Sequence, residues 1–152
     1  MLIRRAQRDD IEAICAVDAR AFGTGPYAAA RDGAGDTAWR DRRRAEIAAW
    51  YRDHYRETFV AIADRRVVGL AGYRPVEGTT GVIHNNAVDP DYQGRGISTL
   101  LVRRVIEELK TLGVARIEVT TAHVPAALHL YRKVGFAVRD RRGAHHLLDQ
   151  EV

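Results

Sequence analysis

The chain has 152 residues, of which 46% are hydrophobic and 29% charged, with a formal net charge of +4. That size and balance suit one globular domain over residues 1–152, with core enough to stand without a metal or disulfide staple. The single cysteine, Cys15, excludes an internal disulfide framework, and no apolar run approaches the ~20 residues of a membrane helix. The start, Met1-Leu2-Ile3-Arg4-Arg5, turns charged at once, so the expectation is a cytoplasmic protein without a signal peptide or a membrane partner. Helical spacing of Ile11, Ile14, Cys15 and Val17, behind Asp9 or Asp10 as a cap, predicts a helix from about Arg8 to Phe22. Gly23-Thr-Gly-Pro26 breaks it, and the glycine- and alanine-rich stretch to Gly35 reads as a loop or a short, poorly formed helix. A second helix is predicted from Asp36 or Thr37 to about Glu57. It carries Trp39, Trp50, Tyr51 and Tyr55, which suit packing or a pocket wall, and an arginine run from Arg40 to Arg44, which suits a solvated face, an acidic acceptor or RNA.

Short strands follow. Thr58–Ala63 and Val67–Pro75 pair across Asp64-Arg65-Arg66, and Gly81–Val88 is a third strand. A strong helix then opens at Gln93-Gly94-Arg95-Gly96, with Ile97, Leu101, Val105 and Leu109 on one stripe and Gly113 as its C-terminal cap. Val114–Thr121 is a strand, Pro125 starts a short helix ending near Gly135, and Phe136–Asp140 and His145–Leu148 close the chain as strands. The predicted order is α-α-β-β-β-α-β-α-β-β. The fold class is α/β with a mixed, mostly antiparallel sheet flanked by helices on both faces.

The chemical signal is concentrated where the third strand turns into the long helix. A helix start presents unpaired N–H groups and a partial positive charge, and Gly94 and Gly96 let a ligand approach the backbone closely. Together they form a site suited to a pyrophosphate. A dinucleotide-binding turn would want a third glycine, where Thr99 stands.

This turn resembles that of the GCN5-related N-acetyltransferase (GNAT) family. Gln93-Gly94-Arg95-Gly96-Ile97-Ser98 is similar to the family's Gln/Arg-x-x-Gly-x-Gly/Ala, with a serine at the last small position. A second block, Ala127-Leu128-His-Leu130-Tyr131-Arg-Lys-Val-Gly135-Phe136, resembles the family's Ala-x-x-Leu-Tyr-x-x-x-Gly-Phe. Val124 stands where the family often has an asparagine seven residues before the tyrosine. The resemblance implies a GNAT-like fold and an acetyl-CoA-dependent N-acetyltransferase acting on a small-molecule or peptide amine. It implies that Asn86, Ala87 and Val88 pair with the pantetheine arm of coenzyme A, with an N–H near Val88 facing the thioester carbonyl. It places Gln93, Gly94, Arg95, Gly96, Ile97, Ser98 and Thr99 around the pyrophosphate, and makes Tyr131 the acid for the departing thiolate.

The chemistry needs a base as well, because an amine of pKa ~10.4 is mostly ammonium near neutrality. His84, on the strand leading to the thioester, and Glu118, on the next strand, are the two candidates, with His123 a third. A regular strand would put His84, Asn86 and Val88 on one face, and an unperturbed imidazole of pKa ~6.5 suits the task. His145 and His146 are adjacent on a strand and face opposite ways, so no metal is expected. Two other readings stay open. One is a degenerate member that binds coenzyme A as a sensor, and the other is an arginine-rich enzyme directed at RNA or aminoacyl-tRNA, although nucleic acid is not the expected partner. The last strands could pair in a homodimer.

Overall fold

A computed structural model describes residues 1–23, 37–122, 124–143 and 145–152, without the side chains of residues 37–40. The elements are β1 (Leu2–Arg5), α1 (Ile11–Gly23), α2 (Thr37–His54), β2 (Thr58–Ala63), β3 (Arg66–Tyr73), β4 (Thr80–Val88), α3 (Ile97–Thr111), β5 (Arg116–Ala122), α4 (Pro125–Lys133), β6 (Ala137–Arg142) and β7 (His145–Glu151). Single 3₁₀ turns at Arg8–Asp10, Tyr55–Glu57 and Pro90–Tyr92 lead into α1, end α2 and follow β4.

Seven strands form one sheet in the order β1-β2-β3-β4-β5-β7-β6. Every pairing is antiparallel except β4 with β5, the two strands joined through α3. Apolar side chains on both faces of the central strands demand cover on both sides. On one face α3 buries Ile97, Leu101, Val102, Val105, Ile106 and Leu109 against Phe59, Val68, Ala71 and Ile117, and α4 adds Leu128 and Tyr131. On the other, α1, α2 and the 3₁₀ turn after α2 bury Ile14, Val17, Ile47, Tyr51 and Tyr55 against Val60, Leu70 and Ala87. The tight β2–β3 turn is made by Asp64 and Arg65, both left-handed at φ 50° and 61°, which matches the twist of a two-residue hairpin.

Three departures from the sequence reading have local causes. The chain starts with a strand rather than a helix: β1 has only four residues, two of them arginine, and is fixed by pairing with β2 rather than by its own pattern. The second helix stops at His54, and Tyr55–Glu57 tightens into a 3₁₀ turn that swings the chain into β2. β7 runs to Glu151, three residues past the predicted end, because it pairs with the whole of β5. The predicted break and loop over residues 24–36 lie outside the described residues.

Strand β4 is not regular. Asn86 pairs with Ala71 and His84 with Gly72, leaving Asn85 as an extra residue, left-handed at φ 61°. Such a bulge reverses which face each later residue presents. Gly81 and Ile83 point to the α3 side, Asn86 and Val88 again to that side, and Ala87 to the α1–α2 side.

Candidate active site

Strands β4 and β5 stay paired for only three residues, Thr80–Val82 against Arg116–Glu118. Beyond that point they diverge, as a strand bent by a bulge must from a straight neighbour. Two cavities of about 380 and 330 Å³ occupy the gap, and both are lined by Phe22, Asn86 and Ala127.

The smaller cavity lies on the α3 side. Asn86, Ala87 and Val88 form one wall, and Gln93, Gly94, Gly96, Ile97, Ser98 and Thr99 close one end. Gly94 and Gly96 sit at φ 76° and 79°, and a Cβ at either would meet no atom within 4 Å. The left-handed backbone therefore sets the glycine requirement, and the turn is open on its ligand side. Gly96 is the N-cap of α3, so the first N–H groups of the helix lack intrahelical partners and face this end.

The surroundings hold the turn rigid. The Gln93 side-chain amide donates to the Val88 carbonyl at 3.1 Å, tying turn to strand. Asp89, buried, accepts from the Asp91 N–H at 2.9 Å and takes the Arg20 guanidinium at 2.6 Å. Arg95 does not line the cavity: it donates to the Asp91 carbonyl at 3.2 Å and lies over the Tyr92 ring, bracing the turn from outside. Ser98 Oγ donates to Asn86 Oδ1 at 3.0 Å, and Asn86 Nδ2 reaches Tyr131 Oη at 3.5 Å. One helix face was missed from sequence: Ala126, His129, Leu130 and Lys133 of α4 line the opposite wall. Their spacing of three and four along the helix that carries Tyr131 was the available signal.

The larger cavity lies on the α1–α2 side, and it brings together His84, Glu118 and Tyr131. The single-face expectation for His84, Asn86 and Val88 does not hold, because the Asn85 bulge separates them. His84 packs on Trp50, with ring centroids 4.3 Å apart, and Trp50 in turn on His54 at 4.0 Å, while Asn86 points to Ser98. Burial, with the nearby charges of Arg74, Arg43 and His54, pushes the His84 imidazole down to about 4. It is therefore neutral at physiological pH but a weaker base than a free imidazole. Glu118 accepts from Arg116 Nη2 at 2.6 Å. Tyr131 is buried, its ring edge-on to Phe136.

The remaining candidates are placed as follows. His145 lines the larger cavity and His146 is buried on the opposite face. Tyr51 and Tyr55 are core residues, and burial raises the Tyr51 phenol above its ordinary value. Cys15 packs partly buried against the same core, its thiol raised mainly by burial. Val124 is buried at the N-cap of α4. His123 and the side chains of Trp39 and Arg40 lie outside the described residues.

The chain resembles known proteins in sequence and in fold. Over 98 residues the chain is 36% identical to an L-2,4-diaminobutyric acid acetyltransferase of Nocardia farcinica, covering 62% of this chain and 49% of that protein. The chain thus spans about half the length of that relative. It is 32% identical over 108 residues to the [ribosomal protein bS18]-alanine N-acetyltransferase of Salmonella typhimurium, covering 65% of this chain and 72% of that one. In fold it matches the PaiA N-acetyltransferase of Thermoplasma acidophilum, solved in complex with coenzyme A, with a TM-score of 0.84 at 16% identity over 99% of this chain and 98% of that one. The Acetyltransferase (GNAT) family model matches residues 24–136, which hold the divergent strands, the glycine turn and Tyr131, and the chain belongs to that family.

Proposed function

We propose that this protein transfers an acetyl group from acetyl-CoA to a primary amine by direct attack in a ternary complex. The observation that carries the reading is the gap between β4 and β5, closed at one end by the left-handed glycine turn. A single domain and a cytoplasmic location belong to the same reading; no described helix is long and apolar enough to cross a membrane.

Acetyl-CoA, when bound, supplies an acyl group already activated as a thioester. The chain's residues do the rest. Residues 86–88 lie past the last β4–β5 pair, so this edge of β4 is available to an extended ligand arm. An N–H near Val88 serves as a donor to carbonyl oxygen, fixed in place because Gln93 locks the Val88 carbonyl. The N–H groups from Gly94 to Thr99 hold a pyrophosphate, and Lys133 adds positive charge from the facing wall. Tyr131 gives a proton to the leaving sulfur; a phenol of pKa ~10 and a thiol of ~8.5 are close enough to share one. His84 and Glu118 both line the acceptor cavity, and one of them receives the amine proton directly or through water. The two relatives named above act on an amino acid bearing amines and on a protein's alanine, which supports an amine acceptor.

Thermal melting with acetyl-CoA tests the cofactor site. At a free concentration of about 100 times Kd, binding adds about 2.7 kcal/mol, a rise of roughly 5–10 °C. No shift at millimolar acetyl-CoA would sink the proposal. Tyr131→Phe should keep that shift while kcat falls roughly 10²- to 10⁴-fold. A rate that survives the change across the pH range would remove Tyr131 from the acid role and reopen the reading of a coenzyme A sensor.

A further inference from the structure

We propose that the acceptor carries a carboxylate near its reactive amine, and that Arg74 is the residue that recognises it. This rests on the acetyltransferase reading above. Three arginines line the larger cavity, brought from α2 (Arg43), the residue after β3 (Arg74) and the end of β6 (Arg142). Glu118 is the one acidic side chain among its described lining residues.

The three arginines are not equivalent. Arg43 is held by the buried Asp18 carboxylate at 3.2 Å and lies over the Phe22 ring. Arg142 meets Asp140 at 3.5 Å, with both side chains exposed. Glu118, the candidate counter-charge, is engaged at 2.6 Å by Arg116, which does not line the cavity. Arg74 alone of the three has no acidic partner among the described residues, although its backbone N–H is fixed to the Val82 carbonyl at 2.9 Å. The cavity therefore holds one guanidinium with its fork unspent, in a wall whose other charges are already paired. Burial is the main cause of the low basicity of His84, and Arg74 is the charged neighbour that adds most to it.

Two consequences follow for the acceptor. A purely cationic amine meets like charge and is disfavoured, whereas an amine with an adjacent carboxylate arrives with its charge balanced and offers a planar, two-oxygen partner to a guanidinium. Once it is bound, burial, the main cause of the low His84 value, also favours the neutral, nucleophilic form of the amine. The carboxylate could belong to a free amino acid or to an acidic side chain near a peptide N-terminus, and the test separates them.

With acetyl-CoA saturating, kcat/KM is measured for L-2,4-diaminobutyrate and L-glutamate against their own carboxamides, and for Ala-Asp-Gly amide against Ala-Asn-Gly amide. The acid member of at least one pair should be preferred roughly 10-fold or more. Preference among the amino acids alone means a free acid, and preference in the peptide pair means an acidic side chain. Arg74→Gln should cut the preference roughly 10-fold, chiefly through KM, and Arg74→Lys should keep part of it. Arg103→Gln, which removes the same charge from the exposed side of α3, should leave the preference unchanged. Equal turnover of acid and amide, turnover of neither acid member, or a preference that survives Arg74→Gln would overturn the inference. Melting of the same samples with acetyl-CoA keeps the two readings apart: a retained shift without acid preference sinks this inference alone, and a lost shift sinks the acetyltransferase reading.

Discussion

The two cavities share Phe22, Asn86 and Ala127, yet their walls are made of different material. The one on the α3 side is largely backbone: an open strand edge, two left-handed glycines and a helix start. The one on the α1–α2 side is made of charged and aromatic side chains from segments as far apart as Phe22 and His145. A backbone site binds what every donor of one kind carries, and side-chain sites select among acceptors. The partition implies that the first wall tolerates almost no change in chain conformation, whereas the second can be rewritten residue by residue.

The sharpest way to break this contrast is at the glycine turn. Gly96→Val forces a β-branched residue to φ 79°, and acetyl-CoA affinity should fall about 100-fold, the upper range of such strain. Gly96→Asn should lose much less, because asparagine visits this region. Calorimetric titration of both variants decides the matter, and a normal affinity in Gly96→Val would mean that side chains make the cradle. The boundary between the walls is tested next. Asn85→Val should lower stability in urea by about 1–3 kcal/mol, and Asn85→Gly should stay within about 0.5 kcal/mol of the parent. A valine tolerated at 85 would show that the bulge is not held in its left-handed form.

At neutral pH the smallest effect belongs to His84. Its folded pKa of about 4 lies below the ~6.5 of an unfolded histidine, so between those values the unfolded chain binds more protons. The stability from a neutral His84 is thus fully present above pH ~6.5 and is lost as pH falls toward 4. His84→Asn should flatten the melting temperature across that window. An unchanged slope would show that His84 is not held neutral by its surroundings.

The same contrast explains what could be read from sequence. Glycines 94 and 96, the capless helix start and the stripe from Ile97 to Leu109 are local facts, so the turn and α3 were legible together. Tyr131 was legible because its block is short and contiguous. Arg43 was legible as part of the Arg40–Arg44 run, but Arg74 and Arg142 were not, since only the folded sheet brings them to the same cavity. Strand β1 was hidden for a related reason: four residues become a strand through a partner more than fifty positions away. The bulge at Asn85 left no trace in the pattern because an asparagine, not a glycine, adopts the left-handed turn. The run Val82-Ile-His-Asn-Asn-Ala-Val88 reads equally well in either register, and a one-residue slip exchanges its faces.

That surplus residue works like a frameshift within a strand. Upstream of Asn85 the even positions Val82 and His84 line the larger cavity; downstream Asn86 and Val88 turn to the α3 side. Removing Asn85 would leave every side chain chemically intact and yet misdirect half of them, turning His84 and Asn86 away from their present neighbours relative to each other. A single strand can therefore present unlike surfaces to two cavities, and the half before the bulge can drift in sequence without disturbing the half beyond it.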